Sequence, residues 1–421
     1  MTLLKTACTG FAAFLCMAAS APADSGFRAV AKDRPTLLAQ AELETPKASA
    51  QMIESCLENP NRTCALASAL LVTAEEELPI ARVDTLIALG KSFARIGDQD
   101  RAAQTLDLAL EAARDIGISI GTEQKLALIV GPLTEIGRSE EAIAIASDLN
   151  DRFLKADAFG EIALAEARRG NIAAALDHLD RITEPLLALR STVSMIEWLA
   201  NEDQNDADLP VSALMDRLDN LDHDLLKALG ETRLARIEAE RGQPETARDL
   251  IAKASEALGA LSLNHERARL YAGLALASQA LGDQASYEDY ADRAANLAAG
   301  VRSDYDRPIA IADAVHALTL GGHIDRAAKL AQSVTGLREQ SALIRRLAAL
   351  PGSRPIVQAL SDHLLALLTE EDSRFERDRA RVAMAEALGD VAAIEQATRI
   401  IAAIESDDAQ GQALAVLARS L

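Results

Sequence analysis

The chain has 421 residues, a formal net charge of −21, and 49% hydrophobic residues of which few are aromatic (3% of the chain). So large an excess of carboxylates argues against a protein held to nucleic acid or to an anionic lipid surface, where Lys and Arg contacts to phosphate supply most of the affinity. A core drawn mainly from Ala and Leu, at the top of the helix scale, with few of the β-branched and aromatic residues that strands favour, argues against a β-rich fold.

The first predicted element is an export signal. Met1 to Lys5 is short and carries a lysine, residues 6–20 are apolar or small, and Ala21-Pro22-Ala23 puts small residues at the −3 and −1 positions. This layout predicts a secretory signal peptide over residues 1–23, cut after Ala23, and hence a periplasmic or secreted protein. The apolar run falls short of the roughly 20 residues that span a bilayer, and no later stretch is apolar enough, so no membrane insertion is expected after cleavage. Cys16 follows Leu15, where a lipid-attachment site would want a small residue. Residues 24–45 lack periodicity and are expected to form a flexible leader.

Cys8 and Cys16 leave with the signal, so Cys56 and Cys64 remain. A single pair in an exported chain predicts a disulfide. Asn59-Pro60 is a turn signal and Thr63 a candidate N-cap, so the bridge would tie the end of one helix to the start of the next.

Further along, a glycine recurs at the end of an apolar-periodic helix, and a second amphipathic helix starts just after it. The glycines are Gly97, Gly137, Gly170, Gly242, Gly282, Gly322 and Gly389, spaced by 40, 33, 72, 40, 40 and 67 residues. The two long spacings are about twice the others, so each hides one degenerate unit. A helix that must reverse within a few residues suits the left-handed cap that Gly adopts without a Cβ penalty. Asp98, Asp283 and Asp390 follow directly and suit the N-terminus of the second helix.

Small residues keep step with the glycines. Five residues after the glycine stand Ala102, Ala142, Ala175, Ala247 and Ala327, and twelve after it Ala109, Ala254 and Ala294. Seven before it stand Gly90, Ala163, Ala235 and Ala275, beside the larger Leu89, Ile129, Ile162, Leu234 and Leu274. Together these resemble the tetratricopeptide pattern of Leu-Gly/Ala, then Gly-Asp, then Ala and a second Ala, over roughly residues 77–404. The family's aromatic positions are mostly missing, and at Gly389 the expected large apolar position is Arg381. The resemblance implies an all-α fold, a right-handed α-solenoid of stacked antiparallel helix hairpins. Two arms are expected, residues 46–200 and 211–421, separated by an acidic loop or hinge at residues 201–210. Pro351 to Pro355 forms a second irregular connection.

One regularity lies outside that family's pattern. Fifteen residues before the glycine stand Arg82, Lys155, Lys227, Arg267, Arg307 and Arg374, with Thr122 as the exception. A cation there is badly placed for its own helix dipole but well placed for the carbonyl end of the preceding helix, so an inter-repeat basic ladder is expected.

No cofactor, metal or catalytic constellation is expected. Gly90-Lys91-Ser92 has the tail of a phosphate-binding loop, but Thr85 replaces its leading glycine and the segment is helical. His265-Glu266 lacks the second histidine of a zinc-protease helix, His316 and His323 make a weak metal pair, and residues 201–210 lack the central glycine of a calcium loop. Asn61-Arg62-Thr63 is a glycosylation sequon in form only. Gly-x-Ser-x-Gly is absent.

In tetratricopeptide stacks the first helix of each unit lines a concave groove. The resemblance therefore implies groove positions at Asp84, Lys91, Arg95, Glu135, Asp157, Arg168, Arg236, Glu240, Arg269, Glu376, Arg379 and Glu386, with Gln279 and His316. Six are basic and six acidic, so the groove is neutral on an acidic molecule. The expected function is a non-enzymatic periplasmic scaffold or adaptor that binds a protein or peptide partner in this groove. A periplasmic chaperone or binding protein for a secreted client is the alternative, and a cell-envelope hydrolase stands last. An elongated body with a trough is expected.

Overall fold

The computed structural model describes residues 46–76, 78–117, 119–201, 211–220 and 223–421. The expected signal peptide, the leader, and all but the first residue of the acidic segment 201–210 lie outside the described residues. The described residues belong to one compact unit. Every regular element among the described residues is helical: α1 (Pro46–Glu58), α2 (Arg62–Glu75), α3 (Pro79–Arg95), α4 (Gln99–Asp115), α5 (Ser119–Glu135), α6 (Ser139–Asp148), α7 (Arg152–Arg168), α8 (Ile172–Leu179), α9 (Pro185–Asn201), α10 (Val211–Asp219), α11 (Asp224–Glu240), α12 (Pro244–Glu256), α13 (Asn264–Ala280), α14 (Gln284–Ala299), α15 (Asp306–Leu320), α16 (Ile324–Ala331), α17 (Leu337–Ala348), α18 (Arg354–Leu368), α19 (Arg374–Asp390), α20 (Ile394–Ala402) and α21 (Asp407–Ser420).

From α3 onward the odd helices are inner and the even ones outer. Each inner helix packs on its outer partner and on the inner helices before and after it. The elongated trough expected from sequence is not what forms. The last inner helix, α21, packs against both α3 and α2, so the inner helices make a closed circuit. α21 and α2, from opposite ends of the described chain, complete one further hairpin without a connecting turn. The sequence pattern, traced only to about residue 404, stopped short of it.

The turn chemistry explains the hairpins. Gly97, Gly137, Gly170, Gly242, Gly282 and Gly322 all have φ between +74° and +86°. At Gly97 the glycine N–H donates to Ala94 O at 3.0 Å and the Asp98 N–H to Phe93 O at 2.9 Å, which satisfies carbonyls that the helix end would leave open. The carboxylates of Asp98 and Asp283 then accept from the Arg101 and Ser286 N–H groups, each at 3.2 Å.

Gly389 is a correction. It lies buried inside α19, and the left-handed position is taken by Ala392 at φ +56°. The same bonds form there, Ala392 N to Gly389 O at 2.8 Å and Ala393 N to Leu388 O at 2.7 Å. The unit is therefore set three residues later than the glycine suggests. Measured from Ala392, the large apolar position is Met384 instead of Arg381, the small ones are Ala385 and Ala397, and all three are buried. Gly389 serves a different end: a Cβ there would stand 2.9 Å from Ser420 Oγ of α21. For the same reason Asp390 ends α19, and the N-cap of α20 is Ala393. At α2 the cap is Asn61, not Thr63; its Oδ1 accepts from Cys64 N at 3.0 Å.

The core is the contact line between inner and outer helices. The alanines five and twelve residues past the six turn glycines, and the Leu or Ile eight before them, are all fully buried. Small residues set the helix separation: a Cβ on Gly90 would stand 2.7 Å from Leu106 Cδ2 of α4. Fully burying one Leu or Ile beside such a crossing contributes about 1.5–3 kcal/mol. The Pro351 region holds Gly352 at φ +71°, which turns α17 into α18. It is the unit hidden in the 67-residue spacing, and α9 with α10 is the one hidden in the 72-residue spacing. Cys56 and Cys64 are bonded, with Cα atoms 5.6 Å apart, and tie α1 to α2.

Candidate functional site

An inner helix turns one stripe toward the middle of the circuit. Counted back from the turn residue, the stripe comprises positions 13, 9, 6 and 2, the i, i+4, i+7, i+11 spacing of one helical face. Charged residues on this stripe or directly beside it bridge neighbouring inner helices. Lys125 of α5 donates to Asp84 of α3 at 2.6 Å, Arg168 of α7 to Glu135 of α5 at 2.7 Å, and Arg190 of α9 pairs with Asp157 of α7. Arg233 of α11 reaches Glu197 of α9 at 3.2 Å. Arg269 of α13 and Arg346 of α17 meet on Asp313 of α15, at 2.9 and 2.7 Å. Glu386 of α19 takes Arg345 of α17 at 3.0 Å and Arg419 of α21 at 3.3 Å. At the α21–α3 joint a backbone contact serves instead, Ser92 Oγ donating to Ala415 O.

Toward the C-terminal ends of the inner helices these stripes enclose a cavity of about 1070 Å³. Its walls come from α3 (Lys91, Arg95), α5 (Glu135), α7 (Arg168), α9 (Ser194, Glu197, Trp198), α15 (Asp313, His316), α17 (Arg346), α19 (Asp390) and α21 (Arg419), with Arg169 beside Arg168. A smaller cleft of about 40 Å³ shares Glu197, Asp313 and His316 with it and adds Arg233, Arg236 and Arg269. Together the two spaces are lined by nine basic side chains and four acidic ones. The concave face, expected to be neutral, is thus positive here, on a molecule of net charge −21. Part of this has a structural cause, since cations complement the negative ends of helix dipoles. Lys91 and Arg95, however, form no ion pair with any described residue and are held in the cavity wall.

Burial and charge set the protonation states in the cleft. Burial works to raise the Asp313 carboxyl, but Arg346, Arg269 and Arg233 outweigh it and hold it at about 2. Burial pushes the His316 imidazole down to about 4, helped by Arg236 and Arg233 and opposed by Glu197 and Asp313. His316 is therefore neutral at pH 7, among charged neighbours.

The other sequence-predicted positions lie apart from the cavity. Asp84 and Asp157 lie nearer the N-terminal ends of the inner helices, where a second hollow of about 540 Å³ includes Ile80, Lys125, Leu128, Asp157 and Arg190. That end is apolar at its edge: Ile80, Ile120, Phe153, Leu186 and Phe375, each in the first turn of an inner helix, are exposed. Glu240 accepts from Arg236 Nε at 2.9 Å, and Gln279 Nε2 donates to Leu320 O at 2.6 Å. Glu376 and Arg379 line a hollow of about 70 Å³ with Arg338 and Arg345.

The basic ladder divides. Arg82 Nε donates to Glu76 O, at the end of α2, at 3.0 Å, and Lys227 reaches Asp219 at the end of α10 at 2.9 Å. Arg307 and Arg374 instead reach Ser333 O and Glu405 O, beyond the outer helices of their own hairpins. Lys155 and Arg267 make no such bond to a described residue. With the α19 unit counted from Ala392, the ladder position becomes Arg377, whose Nη1 donates to Glu371 O and Asp372 O at 3.0 Å each, just past α18.

Sequence reasoning missed Glu197, Trp198, Arg233, Asp313, Arg346, Asp390 and Arg419. Arg233 and Asp313 were legible, nine residues before Gly242 and Gly322 on the same stripe. Arg346 stands six before Gly352 and Asp390 two before Ala392, so each needed a turn residue the glycine pattern did not supply.

Among the described residues no His, Cys, Asp and Glu group could hold a metal ion, and no helix is long and apolar enough to cross a membrane. Fold and cavity define an all-helical protein, consistent with a helical repeat, with a charged central cavity. No known family model matches the chain, and no curated protein matches it in sequence.

Proposed function

We propose that this is a non-enzymatic scaffold or adaptor of the cell envelope, a right-handed tetratricopeptide-like stack closed on itself, whose inner wall holds a segment of a partner protein. The observation that carries the reading is the cavity. Stripes from eight of the inner helices converge on one space of about 1070 Å³, a size suited to an extended peptide or a helix end and lined by charged side chains without a nucleophile–base arrangement. Export is supported by the signal-like N-terminus and by the Cys56–Cys64 bridge, since such bonds persist in oxidising compartments.

The test is capture from envelope extract with the intact protein as bait, beside an Arg168→Glu, Arg236→Glu double variant. A partner that binds the native protein and is lost from a variant with unchanged circular dichroism supports the reading. Equal capture by both moves the binding surface off the inner wall.

A further inference from the structure

One end of the ring carries apolar surface that the packing of the hairpins does not use. Ile80, Ile120, Phe153 and Leu186 are each the second residue of their inner helix, on α3, α5, α7 and α9 in succession, and each is about half exposed. An apolar staple at a helix start would use the residue before the N-cap, so the second position has no such duty. The row ends at α11, where the second residue, Leu225, is buried. Apolar side chains scattered singly over a surface need no explanation, but a row in step with the repeat does.

The hollow of about 540 Å³ is lined by the same four helices. Ile80 belongs to both row and hollow, and Leu128 of α5, 51% exposed, stands in the hollow's wall. The cations there are answered: Lys125 pairs with Asp84 at 2.6 Å, and Arg190 pairs with Asp157. Glu161 of α7 lines the hollow with no ion-pair partner among the described residues. The hollow therefore presents apolar side chains and one unanswered negative charge. It shares only Ser194 of α9 with the large cavity, so it is a separate surface.

We propose that this surface docks an amphipathic helix of a partner protein, basic as well as apolar, laid across α3, α5, α7 and α9. Packed helices stand about 8–10 Å apart, and seven residues of a helix rise about 10.5 Å, so apolar residues at every seventh position would each meet one inner helix. Four such contacts span about 30 Å, the length of a helix of about 20 residues. A Lys or Arg of that helix faces Glu161, and an apolar side chain fills the hollow against Leu128. Charge selects this occupant over a second copy of the chain or an anionic lipid surface, since either would set negative charge against a molecule of net charge −21. The inference goes beyond the large cavity and does not depend on what that cavity holds.

The test is fluorescence anisotropy of the intact protein with a labelled helical peptide of about 20 residues, built from leucines at heptad spacing and lysines, and with the same peptide bearing glutamates for lysines, at about 0.15 M salt. The lysine peptide should bind, and the glutamate peptide at least about tenfold more weakly. Leu128→Gln and Phe153→Gln should each weaken the lysine peptide by about tenfold, through the loss of one apolar anchor. Glu161→Gln should weaken it about threefold, the size of one exposed ion pair. A Leu365→Gln control, at an exposed leucine of the outer helix α18, should bind as the native protein does. All four side chains are exposed, so circular dichroism should not change. Unchanged affinity in any of the first three variants, an equal loss in the control, or equal binding of the two peptides overturns the proposal. So does a dimer in sedimentation, or flotation with phosphatidylcholine vesicles, that Leu128→Gln or Phe153→Gln abolishes, because a second copy or a lipid surface would then be the occupant.

Discussion

Two hairpins of the ring have the same packing and different covalent histories. In the first, α13 and α14 are joined by a turn at Gly282, whose N–H donates to Gln279 O at 2.9 Å. In the second, α21 and α2 have no turn at all, and Arg62 Nε donates to Ala418 O at 3.4 Å from a residue 356 positions away. Both bury Ala-rich faces: Ala268, Ala272 and Ala275 in one, Ala413, Ala415, Ala65 and Ala69 in the other. The difference is that α13 and α14 stay neighbours even when loosened, whereas the seam is held only by side chains. Its free energy must outweigh the cost of joining chain ends far apart in sequence. A mid-ring joint should therefore fail by unfolding, and the seam by opening.

The largest expected effect separates these outcomes. At the seam a Cβ on Gly411 would stand 2.8 Å from Val72 Cγ1, and at the α11–α13 joint a Cβ on Gly273 would stand 3.2 Å from Thr232 Cβ. Gly411→Leu and Gly273→Leu should each cost about 3 kcal/mol in urea unfolding, the range for overpacking. X-ray scattering should show a larger radius of gyration for Gly411→Leu alone, with helix content kept; equal radii for the two variants would remove the distinction.

Acid should attack the mid-ring side. A histidine held neutral in the fold but free to protonate when unfolded favours unfolding as pH falls below 6.5, and the loss is complete near 4, where the folded imidazole itself takes a proton. His316 alone accounts for about 3 kcal/mol over that window. Thermal melts should fall from pH 6.5 to 4, and His316→Leu should flatten the slope.

The disulfide ranks next and belongs to the seam, because α1 touches both α2 and α20. Cys56→Ser with Cys64→Ser should cost about 2.5 kcal/mol. Hydrogen exchange should quicken in α2 and α21 before it quickens in α13; uniform quickening would mean the bridge acts on the whole fold.

The smallest pair compares two turns of identical bonding. Gly282→Ala should cost about 1 kcal/mol, since φ is +74° and no neighbour lies within 4 Å to add a clash. Ala392→Gly should gain up to about 1 kcal/mol by relieving a left-handed alanine. Denaturation midpoints decide both signs.

How much was legible follows the same division. Wherever Gly marks a turn, the register could be read to the residue, and Ala102, Leu234 and Ala247 fall fully buried as their spacing implies. At Ala392 the backbone adopts the same shape without the residue that advertises it, so Gly389, a packing glycine, stood in for it. The cavity was partly legible: Lys91, Arg95, Arg168, Arg236 and His316 line it or its cleft as their spacing implied. Trp198 and Arg346 sit in units without a recognised marker. Closure itself left no local trace, because α21 and α2 complement each other through surfaces that no sequence window contains together.

Closure also bears on how such an array ends. A linear stack of hairpins presents two raw apolar faces, and repeat proteins need specialised polar end units to keep those faces from joining other molecules. Here α21 shields α2 and α3, and they shield α21 in return, so the array has no terminus to protect. Among the described residues no raw hairpin face is left at the joint of α21 with α2 and α3, so the head-to-tail growth into fibres that open stacks must guard against finds no starting point there.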